Sequence, residues 1–241
     1  MTRNATPYAD WFDAEDWPET NCPQCTGGIL AVETVQNIES NSSSRLRDHD
    51  AWEPEWISGF FIVQLRCQTP RCHELTVAHG DWRVAGTGWS DEGIEYSSLY
   101  HLRSTLPPLP IIEIPDSCPS EVRDSVTKAA QIIWCDAGAA ASRLRFAIEH
   151  ILDDQNIPRT RSSTHRRIEN FRQTNTRAAE ILEAVKWIGN QGTHEESLTT
   201  ADVLEGAKIL EHGLTLLYDS SADGIRQRAL EINRARGVRK T

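Results

Sequence analysis

Four cysteines fall in two short-spaced pairs, Cys22-Pro-Gln-Cys25 and Cys67-Gln-Thr-Pro-Arg-Cys72. Each pair sits on a turn beside a strand-like run, so two sulfurs of one turn can reach the same ion, at about 2.3 Å from each. Two such pairs supply four thiolates, which close a tetrahedral coordination sphere. The expected cofactor is therefore a structural Zn²⁺ held by Cys22, Cys25, Cys67 and Cys72. The alternative is four reduced cysteines or two redox pairs. That alternative leaves unexplained why the pairs sit at both ends of a core-poor sheet, whereas a bound metal supplies folding free energy on the order of 10 kcal/mol. His73, next to Cys72, is placed to replace a ligand. Cys118 and Cys135 have no short-spaced partner and read as ordinary thiols.

The second half of the chain offers polar residues at helical spacing. Arg145 and Glu149, in "RFAIEHIL", are four apart and share a helix face, where they can pair. Asn190 and His194 are also four apart, with Gly189 and Gly192 around them. If the helix continues through Gly189, they too share a face; if it ends there, Asn190 caps a turn and His194 lies in a loop. A histidine can serve as general acid or base near neutral pH. No Walker loop, G-x-S-x-G elbow, H-E-x-x-H helix or Rossmann fingerprint is present, so the corresponding chemistries lack their signatures.

Two kinds of element must position these residues. "ILAVETV" (Ile29–Val35), "FFIVQLRC" (Phe60–Cys67) and "ELTVAHGDWRV" (Glu74–Val84) are rich in β-branched and aromatic residues and predict strands. Gly27-Gly28 and Gly80-Asp81 supply turns, and "SNSSSR" (Ser40–Arg45) a loop. The resulting sheet is small and buries little. After "LPPLPIIEIPDSCP", an extended Pro-rich crossover, the periodicity turns helical. Ser120 caps a helix carrying Val122, Val126, Ala129, Ala130 and Ile133. Asp136 caps the next, with Leu144, Ile148, Ile151 and Leu152 on one face. Helix signals recur at Ile168–Phe171 and Ala178–Ile188. Thr199 and Asp202 form a capping box before the stripe Val203, Ala207, Leu210, Leu214 and Leu217. Gly224–Arg236 is a last, more basic helix. The expected class is α+β: an antiparallel β module over residues 1–105, a crossover over 106–118, and an α-helical bundle over 119–241.

The formal net charge of −10 makes the surface as a whole repel nucleic acid at long range. The charge is uneven, however. From Ile225 to the end, Arg226, Arg228, Arg234, Arg236, Arg239 and Lys240 face a single Glu231. The segment Arg226–Lys240 is thus a candidate contact for a partner protein or a phosphate backbone. No apolar run reaches the roughly 20 residues of a bilayer span, and the acidic start lacks a signal segment. The expectation is a cytoplasmic protein with no membrane contact.

The order of these features resembles the domain of unknown function family 4145, which occurs in bacteria alone or attached to restriction and other defence proteins. The pieces that carry the resemblance are the CPxC pair, the second Cys pair, "LPIIEIPDSCPSEV", "AAASRLRFAIEHIL" and "GNQGTH". The helical part, roughly Pro115 to Asp219, carries most of it, and the zinc-ribbon-like start also resembles many members. That family is similar in turn to the HEPN helical superfamily, many of whose members are metal-independent ribonucleases. Their motif is an arginine, often followed by asparagine, and then a histidine. Here Asn190 and His194 match, while Gly189 stands in the arginine position. The arginine would bind the scissile phosphate. The resemblance therefore implies a zinc-containing binding or adaptor protein with a degenerate HEPN-like domain, in bacterial defence or nucleic-acid processing. It also implies a homodimer through the helical domain, with His194, Arg145 and Glu149 near the interface. The alternative is a ribonuclease in which His194 works with Arg145 or Arg143.

Overall fold

The computed structural model describes residues 5–25, 27–91, 93–159, 163–194, 198–219, 221–235 and 237; for residues 192–194 and 221–227 it describes the backbone alone. After a 3-10 turn (Thr6–Ala9), six strands form one antiparallel sheet: β1 (Phe12–Asp13), β2 (Thr20–Asn21), β3 (Ile29–Glu39), β4 (Ser58–Cys67), β5 (Leu75–Ser90) and β6 (Gly93–Leu106). The order across the sheet is β1-β6-β5-β4-β3-β2. A four-residue helix α1 (Asn41–Ser44) follows β3. Six further helices follow the sheet: α2 (Ser120–Ile132), α3 (Ala137–Asp154), α4 (Thr164–Arg172), α5 (Thr176–His194), α6 (Thr200–Tyr218) and α7 (Ser221–Ala235). The class is α+β.

The sheet is larger than the sequence suggested. β5 runs six residues past Val84, and β6 is an additional strand. Beyond Arg83 the ladder joins only these two strands, with the Val84 amide donating to the Ile57 carbonyl (3.0 Å) at the base of the arm, and toward its tip the side chains meet water. Such strands need no apolar alternation, so the pattern that marks half-buried strands is absent. Gly80 makes no turn: it lies inside β5 at a register shift, opposite Leu102. The inward side of β4 alternates as a half-buried strand should, with Phe61, Val63, Leu65 and Cys67 buried. With Ala78, Tyr100 and Leu102 they give the sheet a core of its own. "SNSSSR" holds a helical turn, with Ser40 accepting from the Ser43 amide.

The helices follow their apolar stripes. Leu144, Ile148, Ile151 and Leu152 of α3 and Val203, Ala207, Leu210 and Leu214 of α6 are buried, each Val, Leu and Ile contributing about 1.5–3 kcal/mol by burial. Leu217, last in the α6 stripe, is only half-buried. Asp136 caps α3 through the Ala139 amide, and Thr199 with Asp202 completes a capping box on α6. Ser120 does not cap α2. It is the first helical residue, and Pro119 precedes it as a cap without a side-chain bond. α5 does not stop at Gly189 but runs on to His194. One cluster of buried apolar residues passes from the sheet through Leu109, Ile111 and Ile112 into the helices.

Candidate metal centre and helical junction

Register brings the two cysteine turns together. Asn21 pairs with Ile29 and Leu30 with Cys67, so the β2–β3 turn and the end of β4 are neighbours. The Cys22 amide donates to the Gly28 carbonyl (2.7 Å) and the Cys72 amide to the Thr69 carbonyl (2.9 Å), folding each turn back on its sulfurs. The four Sγ atoms lie within 4.8 Å of one another. Cys22–Cys72 and Cys25–Cys67 are each 3.7 Å apart. This set could hold a metal ion. Burial pushes the Cys22 thiol up to about 12. At Cys25 burial pulls the same way, but hydrogen bonds with Cys67, the Gly28 backbone, Cys72 and Thr69 outweigh it and lower the thiol to about 7. Four sulfurs so close cannot all hold charge without a cation among them.

Gly28 is required by close approach. A Cβ there would come within 2.4 Å of Thr69 Oγ1, 2.5 Å of Cys67 Sγ and 2.9 Å of Cys25 Sγ. His73 has a positive φ of 49° in the turn after Cys72. Its side chain is exposed and lies outside the sulfur group. Cys118 is buried and Cys135 exposed, both apart from the cluster.

The helical residues meet where α3, α4 and α5 come together. Arg145 and Glu149 do not pair with each other. Thr164, at the start of α4, stands between them: its hydroxyl accepts from Arg145 Nη2 (3.4 Å) and donates to the Glu149 carboxylate. Glu149 instead pairs with Arg167, which is 2% exposed. Arg167 also donates to Asp153 Oδ1 (2.7 Å) and the Ile157 carbonyl (2.8 Å). A buried guanidinium is tolerated only when its charge is met this way. In sequence it was one arginine among several on a polar helix, with no signal of its burial.

Because α5 is continuous, Asn190 and the His194 position share one helix face. The His194 side chain lies outside the described residues. Gly189 is buried, and a Cβ there would sit 3.0 Å from Arg145 Cβ, 3.2 Å from the Ala141 carbonyl oxygen and 3.7 Å from Arg145 Cδ. The stem of Arg145 therefore lies across the position where a side chain at 189 would begin.

Residues 127–235 match the family Domain of unknown function (DUF4145). Residues 10–107 match a second, Domain of unknown function (DUF8608), which spans the sheet and all four clustered cysteines. No curated protein and no solved structure matches the chain. Within the DUF4145 match, His165, Glu169 and Glu183 are a second group close enough to share an ion. Their charges are already met, however. Arg172 bonds Glu183 (2.6 Å) and Glu169 (3.1 Å), and Glu183 also lies 3.3 Å from His165 Nδ1. A cation there would have to displace a guanidinium, so the group reads as an ion-pair network tying α4 to α5. Among the described residues no helix is long and apolar enough to cross a membrane.

Proposed function

We propose that the protein is a zinc-containing, non-catalytic binding or adaptor protein, built from a four-thiolate structural centre and a degenerate HEPN-like domain. The observation that carries the non-catalytic reading is the packing at Gly189. The position that would hold a phosphate-binding arginine is a buried glycine beneath Arg145, and a Cβ there already lies 3.0 Å from Arg145 Cβ and 3.2 Å from the Ala141 carbonyl, so a longer side chain would have to displace them. The nearby charges are spent on one another: Glu149 and Asp153 on Arg167, Glu183 on Arg172. For the metal, sulfurs about 2.3 Å from a tetrahedral Zn²⁺ would be about 3.8 Å apart. The two 3.7 Å separations fit that value. Cys22, Cys25, Cys67 and Cys72 would hold the ion, which would fix the end of the sheet and perform no chemistry. Partners in this reading are a second copy through the helical domain and a defence or nucleic-acid-processing protein, or RNA.

A second reading, a ribonuclease, is favoured by one observation. Arg145 crosses α5 at the level of Gly189, so its guanidinium could stand in for the missing one while His194 moves the proton. Incubation of labelled RNA with the wild type, His194→Ala and Arg145→Ala separates the two. The adaptor reading expects no cleavage by any of them; cleavage by the wild type that both variants lose replaces it with the nuclease. Elemental analysis of protein purified without chelator should find one zinc per chain, and its absence would refute the four-thiolate centre.

A further inference from the structure

Between Tyr8 and Glu19 the chain carries five carboxylates, Asp10, Asp13, Glu15, Asp16 and Glu19, and no lysine or arginine. Acidic side chains alone make only a solvated surface. Here Trp11, Phe12 and Trp17 are interleaved with them, and the fold gathers rings and carboxylates around one opening.

That opening is a cavity of about 690 Å³ between the 3-10 turn and the β1–β2 connection, large enough for a ligand. Trp11, Phe12 and Trp17 supply its aromatic lining and Asp13, Asp16 and Glu19 its charge; the remaining lining residues are prolines. The lining is held in place from behind. Trp17 Nε1 donates to the Tyr8 hydroxyl (3.1 Å), and Phe12 meets Trp17 edge to face with centroids 4.9 Å apart. From outside the cavity, the His101 ring lies 5.3 Å from that of Trp11. The Asp16 amide donates to the Asp13 carbonyl (3.3 Å), so both carboxylates ride on one turn. Asp13 accepts from the Glu15 amide (2.9 Å), yet among the described residues neither Asp13 nor Asp16 has a cationic partner. Nor does any basic side chain among the described residues line the cavity.

The chemistry that fits is a cation on an apolar stem. Ring faces attract its charge, and carboxylates accept its N–H groups. A guanidinium suits the site better than an ammonium, because it is planar, weakly hydrated and able to stack on indole while forking toward a carboxylate. Trp11 already accepts one: outside the cavity, the Arg83 guanidinium lies 4.2 Å from its ring centroid. A free monocation needs one counter-charge, whereas three carboxylates line this cavity and Asp10 and Glu15 stand beside them in sequence. That excess suits a segment that brings further cations around one inserted arginine.

We propose that this cavity takes the arginine side chain of a partner protein's basic segment. Trp11 and Trp17 pack against its stem and guanidinium, and Asp13 and Asp16 accept its N–H groups. The site rests on the adaptor reading for there being a protein partner, and it adds the chemistry by which that partner is recognised. It shares no residue with the cysteine cluster, Arg145 or His194. Zinc content and RNA cleavage therefore test the earlier reading separately from what binds here.

NMR titration of the isotope-labelled chain as purified, followed at the indole N–H signals of Trp11 and Trp17, tests the proposal. The probe is a blocked five-residue peptide with arginine at its centre, a glycine on each side and a lysine at each end. It should shift both signals saturably. The same peptide with citrulline at its centre, equal in shape but neutral there, should bind about tenfold or more weakly. Agmatine, a guanidinium on a short free chain, should also bind more weakly than the arginine peptide. Asp13→Asn/Asp16→Asn should weaken peptide binding about tenfold or more. Asp48→Asn/Asp50→Asn, which removes the same charge from an exposed segment outside the cavity, should leave it unchanged. The citrulline comparison alters only the probe, so it holds whatever a substitution does to folding. Absence of a saturable shift overturns the proposal, as do equal binding of the arginine and citrulline peptides and equal losses in the two double variants. Agmatine binding as tightly as the peptide overturns it too, by making the occupant a small molecule.

Discussion

At the scale of single residues, what the chain does turns on a few positions where there is no space to spare. Gly28 is one, with three heteroatoms closer than a methyl group allows. Gly28→Ala should lower zinc affinity about 10- to 100-fold, the usual cost of disturbing the support of a metal ligand. Competition with a chromophoric chelator measures it; unchanged affinity would mean that the sulfurs do not depend on this turn. Asp153 is another. Hydrogen bonds from Arg159 and then Arg167 hold its carboxyl below the usual carboxylate range, against the pull of burial. A carboxyl depressed by folding stabilises the fold above its unfolded value of 3.8. That contribution is lost as pH falls through the lower folded value. Asp153→Asn should therefore be less stable than wild type at pH 7, with the difference shrinking below about pH 4. A constant gap in urea melts across that range would contradict the pairing. The cysteine spacing was visible in the sequence because two sulfurs on one turn can serve one ion. Thr164 and Arg167 were not visible, because nothing local distinguishes a buried arginine from the exposed Arg166 beside it.

At the scale of elements, the helices could be read because each buries one stripe, and the capping residues Asp136 and Thr199 mark their starts. The paired arm of β5 and β6 could not. Trp89 is 82% exposed and lies opposite Ile94 near the tip, so neither strand carries a buried face there. The continuity of α5 was one of two outcomes the sequence left open, since glycine normally weakens a helix. Here Gly189 lets α5 approach α3 closely enough to meet Arg145 and Ala141. Gly189→Arg should cost about 1–3 kcal/mol by overpacking. Arg145→Gly in the same chain should recover part of that loss, because the two side chains compete for one volume. Denaturation of the two single variants and the double variant decides it, and additive losses would show that they do not share the space.

At the scale of the whole molecule, the N-terminal segment joins what the two family matches divide. The Tyr8 ring lies 6.0 Å from Trp134 at the end of α2, and its hydroxyl donates to the Pro18 carbonyl. Phe12 of β1 packs on Tyr8 and Tyr100, while Lys208 of α6 reaches Thr6. Removing the metal should lower the melting temperature on the order of 10 °C; a chelator without effect would mean that the sulfurs contribute nothing to folding. Because residues 5–18 touch sheet and helices alike, the damage cannot stay in the sheet. A calorimeter should record one endotherm that moves as a unit. Clipping this segment, with the cysteines and helices untouched, should split that endotherm into two. Residues 5–18 would then carry, beside the buried Leu109, Ile111 and Ile112, the coupling that makes sheet and helices melt as one.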